Sequence, residues 1–289
     1  MLEKKKSLRE LTSIRIGGIA RLLATPTNIQ ELKEYIKIAR DMDVFVIGRG
    51  SNTIMGDFDG IVIRTSRFQE LSVKEMRNTF CIYAGAGISL MTLVRIANEL
   101  NLEGIYKLDG FPASVGGAVS MNAGAFGCEF SEFIKSVDFI GWDGELHRIN
   151  KEELSFSYRN SQFPELGLVI GVSLEFKKAN TSVAQESLKI KTKRLSSQPR
   201  GVLTCGSTFK NPPGDFAGRL LELSGLKGFK LGNVGFSSKH ANFLINFGNA
   251  SFSEASEIIV LAREKVFENF NVLLEEEVKL IASNSNSRW

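Results

Sequence analysis

Histidine and cysteine are scarce in this chain, which has two histidines and three cysteines among 289 residues. They are scattered, without a CxxC pair or an HExxH segment, at Cys81, Cys128, His147, Cys205 and His240. A structural zinc site needs four such ligands at close spacing, so we expect no metal site. The GxSxG segment of many serine hydrolases is also absent, which argues against a Ser-His-Asp triad. Any proton transfer must therefore rely mainly on other residue types.

A strong net charge and long apolar runs are missing as well. Lys and Arg number 36 against 32 for Asp and Glu, a net charge of +4, so composition gives no support for binding nucleic acid or a membrane surface. No stretch approaches the roughly 20 apolar residues of a transmembrane helix, and the first residues lack the apolar core of a signal peptide. With 43% hydrophobic residues, the chain is expected to be globular. Because neither a signal peptide nor a transmembrane segment is apparent, we expect it in the cytoplasm. We also expect no obligate protein partner.

The spacing of apolar residues predicts alternating helices and strands in the first half of the chain. A helix that begins with a capping box of Thr27 and Gln30 is followed by strands over 44–47 and 61–63. A further strand over 80–84 precedes a helix that begins at Ser89. The segment 137–149 contains Asp143-Gly144 between two apolar runs, a pattern typical of a β-hairpin.

The second half of the chain follows a basic helix over 181–197, and we place the main domain boundary near or within it. Further helices are predicted to begin at Asp215 and Ser253. The final run, 272–282, reads as a strand on which Glu275 and Glu277 share a face. A polar tail with no predicted structure follows this run.

A glycine loop, GRGSN, lies between the first two of these strands. Its backbone N–H groups and its small and polar side chains suit a phosphate, whereas the alternative is a plain turn between strands. The third glycine of a Rossmann fingerprint is absent, because Thr53 stands there. The loop consists of Gly48, Arg49, Gly50, Ser51 and Asn52.

Two more loops of small residues follow, YAGAG at 83–87 and PASVGGAVSMNAGAFG at 112–127. A helix that begins near Ser114 would present free N–H groups to an anion. The lack of side chains at Gly116 and Gly117, with only a methyl group at Ala118, would let a flat or diphosphate-bearing ligand lie against the backbone. The alternative is tight packing of a helix through small residues. Three such loops together favour a dinucleotide bound without a Rossmann fold.

Several polar residues are isolated candidates whose roles the residues alone leave open. Arg159 in SYRNSQF suits a carboxylate or phosphate, or is a solvated surface arginine. In CGSTFKNP, the hydroxyl of Ser207 near Lys210 and Asn211 is a proton donor or caps a turn. Lys239 in SSKHANFLIN is a candidate anion contact, and Glu277 is an exposed carboxylate or folds back into a cleft.

In their order and spacing these segments resemble the UDP-N-acetylenolpyruvoylglucosamine reductase family. The resemblance spans nearly the whole chain, and no single motif is decisive. It rests on TSIRIGGIA, VIGRGSNTIM, YAGAG, PASVGGAVSMNAGAFG, SYRNS, CGSTFKNP, AGRLLELSGLKG, SSKHANFLIN and LLEEEV.

The resemblance implies an α+β fold, with an FAD-binding domain of the vanillyl-alcohol-oxidase type in two lobes and a smaller substrate-binding domain. On this basis we expect the FAD-binding domain at 1–180, with lobes near 1–65 and 66–180. The substrate-binding domain is expected at 181–289, with its last strand returning to the active site. The implied reaction is reduction of UDP-N-acetylglucosamine enolpyruvate to UDP-N-acetylmuramate by NADPH through non-covalently bound FAD, in peptidoglycan precursor synthesis.

The resemblance also implies roles for individual residues. Arg159 and Glu277 would stabilise the enolate formed in the reaction, and Ser207 would donate the proton to its C2 carbon. Lys210, Asn211 and Lys239 would contact the sugar or diphosphate of the substrate. The FAD contacts would be residues 48–52 together with Ala86, Gly87, Pro112, Ser114, Gly116, Gly117, Ala118, Asn122, Ala123 and Gly124.

The sequence departs from the family pattern in two respects. Ala113 stands where the family usually has a glycine near the flavin. The interval from Arg159 to Ser207 is short, as in the shorter class of the family, which lacks the inserted loop whose tyrosine covers the substrate. An FAD-dependent oxidase with another substrate and a nucleotide-sensing protein without turnover are the alternatives. Presence of Arg159, Ser207 and Glu277 argues against the second.

Overall fold

The computed structural model describes residues 1–77 and 79–283. The helices are α1 (Ile29–Ile38), α2 (Leu90–Glu99), α3 (Val115–Ser120), α4 (Phe163–Leu166), α5 (Val183–Ser197), α6 (Ala217–Leu223) and α7 (Phe252–Phe270). The strands are β1 (Leu2–Ser7), β2 (Ile19–Ala24), β3 (Asp43–Ile47), β4 (Thr53–Met55), β5 (Phe58–Arg64), β6 (Leu71–Glu75), β7 (Thr79–Gly85), β8 (Gly124–Ala125), β9 (Cys128–Glu129), β10 (Ile134–Gly141), β11 (Leu146–Asn150), β12 (Phe156–Ser157), β13 (Asn160–Ser161), β14 (Gly167–Lys177), β15 (Leu203–Ser207), β16 (Lys230–Leu231), β17 (Val234–Phe236), β18 (Phe243–Asn246) and β19 (Lys279–Ile281).

The first sheet has the strand order β1-β2-β5-β3, with β5 parallel to both of its neighbours. Helix α1 covers it, because Leu32 and Ile36 pack with the buried Ile61 of β5. The predicted capping box of α1 is wrong by one residue. Asn28 is the cap, and its Oδ1 accepts a hydrogen bond from the N–H of Glu31 at 2.9 Å.

The second sheet has the order β11-β10-β14-β7-β6 and is antiparallel throughout. Its β10–β11 pair confirms the predicted hairpin. Helices α2 and α3 bury their apolar residues in one core with this sheet. The end of β7 and the start of α3 are therefore neighbours, which brings the second and third glycine loops together.

The third sheet has the order β15-β18-β17-β16 and packs with α6 and α7. Helix α7 begins after Ser251, which forms a capping box with Glu254, and not at Ser253 as predicted. Ile14, Ile16 and Ile54 are buried in the same core. Residues from the beginning of the chain thus pack with the third sheet, while the domain boundary near 181 stays a prediction.

The carboxyl-terminal run forms less strand than predicted. Within the run 272–282, β19 (Lys279–Ile281) pairs parallel to β4, and Glu276 forms a single antiparallel bridge with Phe209. The predicted polar tail lies outside the described residues from position 284 onward. Within the described ranges, no helix has both the length and the apolar character that crossing a membrane requires.

Candidate active site

A cavity of about 600 Å³ lies between elements of all three sheets. It brings together eleven of the predicted FAD contacts and four predicted catalytic or substrate-binding residues. They are Gly48, Arg49, Gly50, Ser51, Asn52, Pro112, Ser114, Gly116, Gly117, Ala123, Gly124, Arg159, Ser207, Asn211 and Glu277.

Six other predicted site residues are not among the described residues that line this cavity. Ala86 and Ala118 are fully buried, and Gly87 is also in the interior. Asn122 is buried as well, and its amide is occupied by Glu129, Ser157 and the N–H of Ser131. The remaining two are Lys210, whose Nζ is 3.2 Å from Glu275 Oε2, and Lys239, whose Nζ donates to the carbonyl of Leu195.

The GRGSN loop supplies unused backbone donors to the cavity. The N–H groups of residues 49–52 have no acceptor among the described residues. Gly50 has φ = +61°, and a Cβ there would lie 1.9 Å from the carbonyl oxygen of Leu11. A glycine is therefore required at this turn. Successive free N–H groups on such a turn form a binding site for an anion.

The N–H groups at the start of α3 differ from the prediction. Its first N–H groups are not free, because Val115 donates to Ile88, Gly116 donates to Ala86, and Gly117 donates to Ser114 Oγ. The expectation that these N–H groups are free to bind an anion is therefore wrong. Gly117 of α3 lines the cavity and has no side chain. A Cβ added there would contact only Ser114 Oγ, at 3.3 Å. A ligand can approach this backbone closely.

Arg159 occupies the two-residue turn between β12 and β13. Its φ is +56°, a left-handed conformation that costs energy for a residue with a side chain. Its Nε donates to Glu277 Oε1 at 2.8 Å and its Nη2 donates to the carbonyl of Gly124 at 2.7 Å. Only 14% of its side chain is exposed. The surface alternative considered for this arginine is excluded.

Ser207 ends β15, where the pairing with β18 shifts register between Thr204 and Ser207. Gly206 has φ = +82°, a backbone conformation that glycine adopts readily. Such an irregularity re-aims the side chains of a strand. Ser207 lines the cavity, and its hydroxyl has no hydrogen-bond partner among the described residues.

Glu277 is fixed by hydrogen bonds of its own backbone. Its N–H donates to the carbonyl of Thr208 at 2.9 Å, and its carbonyl accepts from Asn52 Nδ2 at 2.8 Å. Burial raises the pKa of the Glu277 carboxyl above its ordinary value, although Arg159 and then Lys210 act in the opposite direction. Only 16% of the Glu277 side chain is exposed, so the alternative of an exposed strand carboxylate is excluded.

The charge of the cavity suits phosphorylated ligands. Among its described lining residues, Glu277 is the one acidic residue, whereas five are cationic. Three of the cationic residues, Arg194, Arg200 and Lys279, were not predicted as site residues. Arg194 and Arg200 lie in the segment RLSSQPRGVLT that leads into CGSTFKNP, so proximity in sequence to that motif was the available signal. The free N–H groups of the GRGSN loop and the cationic side chains of this cavity are groups suited to hold a diphosphate.

Comparison with known proteins gives matches over the whole chain. Residues 20–150 match the family described as FAD binding domain, and residues 198–281 match UDP-N-acetylenolpyruvoylglucosamine reductase, C-terminal domain. The UDP-N-acetylenolpyruvoylglucosamine reductase of Aquifex aeolicus is 49% identical over 288 residues, which cover 99% of this chain and 97% of that protein. The reductase of the same name from Caldicellulosiruptor saccharolyticus is 34% identical, over 96% of this chain and 91% of that protein.

A solved structure is similar over nearly the full length. The crystal structure of UDP-N-acetylenolpyruvylglucosamine reductase from Thermus caldophilus matches with a TM-score of 0.81 and 32% sequence identity. The match covers 97% of this chain and 98% of that chain. With the FAD-binding match, it confirms the predicted fold class.

Proposed function

The chain belongs to the UDP-N-acetylenolpyruvoylglucosamine reductase family, and on this premise we propose how its cavity residues perform the reaction. The protein is an FAD-containing, NADPH-dependent oxidoreductase. It reduces UDP-N-acetylglucosamine enolpyruvate to UDP-N-acetylmuramate in peptidoglycan precursor synthesis. The bound FAD supplies the hydride-transfer chemistry, which no amino-acid side chain supplies.

We propose that two of the glycine loops, GRGSN and the segment 112–127, hold FAD without a covalent bond. The free N–H groups of residues 49–52 would bind its diphosphate. The bare backbone at Gly117 would let a ring system lie against α3. Neither histidine, His147 or His240, is among the described residues lining the cavity, so neither offers an attachment point. Ala86, Gly87, Ala118 and Asn122 would act indirectly, by packing and shaping the loops.

The hydrogen bond from Arg159 Nε to Glu277 Oε1, in the same cavity as Ser207, is the observation that carries the proposed mechanism. Reduction of the enolpyruvyl group at C3 leaves negative charge spread over C2 and the carboxylate. Arg159 would bind this charge with its planar guanidinium. Glu277 in its acid form would donate a hydrogen bond to it without adding repulsion.

Ser207 would donate its hydroxyl proton to C2 of the substrate. Because an enolate carbon is strongly basic, a hydroxyl is an adequate acid, and solvent can replace the lost proton. Asn211, whose Oδ1 caps the N–H of Ala217 at 3.1 Å, would hold the sugar nucleotide with its remaining amide donors. Lys210 and Lys239 are not among the described lining residues and would act indirectly. Lys210 would act through its hydrogen bond to Glu275, and Lys239 through its hydrogen bond to the carbonyl of Leu195.

The cofactor and the reaction are tested together on the purified protein. Acid or heat should release free FAD into the supernatant, which would establish non-covalent binding. NADPH should bleach the flavin absorbance, and UDP-N-acetylglucosamine enolpyruvate should restore it without oxygen. A colourless protein that takes up no FAD would contradict the assignment, and restoration by oxygen but not by substrate would favour an oxidase. We further propose that the protein works in the cytoplasm, without an obligate protein partner.

The raised pKa of Glu277 predicts a pH dependence of the substrate half-reaction. Its acid form should persist above pH 4.5, its ordinary pKa. The rate at which substrate restores flavin absorbance should be high below the raised pKa and fall as pH rises through it. Glu277→Gln, which keeps a hydrogen-bond donor and cannot ionise, should remove this decline. The same decline in Glu277→Gln would show that another group titrates, and flavin bleaching by NADPH is the internal control.

A further inference from the structure

One buried asparagine, Asn122, connects three other segments of the chain through its side chain. It is fully buried and is not among the described residues that line the cavity. Its Nδ2 donates to Glu129 Oε2 at 2.8 Å and to the carbonyl of Ser157 at 3.1 Å. Its Oδ1 accepts from the N–H of Ser131 at 3.2 Å. The amide is therefore used within the protein, and its role differs from the predicted contact with FAD.

The hydrogen bond to Ser157 connects Asn122 to the hairpin of β12 and β13, which carries Arg159. Ser157 is the last residue of β12 and pairs with Asn160, the first residue of β13. Arg159 lies in the two-residue turn between them. Asn122 therefore binds the backbone two residues before the arginine that we propose to stabilise the enolate.

Two further hydrogen bonds join the same hairpin to the segment 120–124. From β13, Ser161 Oγ donates to the carbonyl of Ser120 at 2.8 Å. From the turn, Arg159 Nη2 donates to the carbonyl of Gly124 at 2.7 Å. Together with the bond from Asn122, both strands and the turn of the hairpin are held against one short segment of the chain.

The β12–β13 hairpin needs such external support. Each strand has only two residues, and the pair forms a separate two-stranded sheet. An isolated two-stranded hairpin is marginally stable at best. In addition, the left-handed φ of +56° at Arg159 costs energy, and a strained conformation persists only where the surrounding structure holds it. The orientation of Arg159 therefore depends on the contacts of the hairpin with its neighbours.

We propose that Asn122 is a positioning residue that holds Arg159 in its productive orientation, through the hydrogen bond to the carbonyl of Ser157. The proposal rests on the function proposed above, which gives Arg159 the developing negative charge to bind. Stabilisation of such a charge requires a donor that is already in place, and a displacement of about 1 Å can cost about 100-fold in rate. Asn122 thus acts on substrate reduction without contacting the substrate.

Asn122→Gly tests this, because glycine tolerates the φ of +41° at this position and removes the amide. In stopped-flow experiments on the FAD-loaded protein, the restoration of flavin absorbance by substrate should slow about 10- to 100-fold. Bleaching by NADPH and retention of FAD should not change, because Arg159 has no role in them. Since Arg159 and then Lys210 lower the pKa of Glu277, displacement of Arg159 should also move the decline in the restoration rate to higher pH.

Asn101→Gly is the matched control. Asn101 has φ = +55°, and its Nδ2 donates to the carbonyls of Ala179 and Thr181, each at 3.1 Å. Its Oδ1 accepts from the N–H of Val183 at 2.9 Å. The substitution therefore removes the same three kinds of hydrogen bond at a left-handed residue that is absent from the described lining residues. Both half-reactions and the pH profile should match those of the wild type.

A double-mutant cycle with Arg159→Met separates positioning from a general structural role. If Asn122 acts through Arg159, adding Asn122→Gly to Arg159→Met should slow restoration by less than about twofold further. Full additional slowing in the double variant would overturn the proposal. A wild-type rate in Asn122→Gly, or equal slowing of both half-reactions, would overturn it as well.

Asn122→Asp decides by the same cycle if Asn122→Gly fails to fold. Aspartate keeps the shape and the acceptor for the N–H of Ser131, but its carboxylate has no donor for the carbonyl of Ser157. Failure of the proposed function would be distinct from failure of this proposal, because the wild type would then show no restoration of flavin absorbance by substrate.

Discussion

Ser207→Ala should slow the restoration of flavin absorbance by substrate by about 100- to 10,000-fold, the range typical of a lost general acid. Bleaching by NADPH should proceed at the wild-type rate, because no proton from Ser207 is needed in that half-reaction. Ser207 lines the cavity at the register shift of β15, and its hydroxyl has no partner among the described residues. Its removal should therefore leave the protein fold intact. Stopped-flow absorbance measures both half-reactions on the same sample.

Thr208→Val is the matched control for this substitution. Thr208 is the next residue, is fully buried, and carries a hydroxyl without a hydrogen-bond partner, but it does not line the cavity. Valine replaces it with almost no change of shape, so both half-reactions should stay at the wild-type rate. Equal slowing of both half-reactions in Ser207→Ala would contradict a role for Ser207 as proton donor and would indicate a change in the flavin site.

The parts of the site that sequence predicted are those that depend on local backbone chemistry. GRGSN forms a turn with positive φ at Gly50, and Ser114 caps α3 as the small-residue segment suggested. These outcomes follow from which residues tolerate an unusual backbone conformation, a property visible in one segment at a time. The resemblance to a known family then supplied Arg159, Ser207 and Glu277, whose separation in sequence hides their proximity.

The parts that sequence could not predict depend on contacts between distant segments. Asn52 and Asn122 belong to glycine-rich loops, but their amides bond to Glu277 and to Glu129 and Ser157. The N–H groups at the start of α3 were predicted to be free, and neighbouring carbonyls occupy them. Whether a donor is free is decided by tertiary packing, and a single sequence has no local signal for it. Arg194 was overlooked for the same reason, as one of several basic residues on α5.

Arg159→Met should slow the restoration of flavin absorbance about 100- to 1,000-fold, the usual effect of removing one donor to a developing negative charge. Arg159 lowers the pKa of Glu277 in the native protein, so its removal should raise that pKa further. The decline in rate with pH should therefore move to higher pH in the variant. A loss of fold alone would not produce this shift, which makes the pH profile the decisive measurement.

Arg148→Met is the control, because it also removes an arginine that pairs with a carboxylate. Arg148 Nη2 donates to Asp138 Oδ2 at 2.8 Å. Neither residue is among the described residues that line the cavity. Its rates and pH profile should match those of the wild type. Arg159→Lys should retain more activity than Arg159→Met, because the charge remains while the bonds to Glu277 and Gly124 cannot both form. A wild-type rate in Arg159→Met, or a pH profile that stays in place, would remove Arg159 from the mechanism and leave Glu277 to act without it.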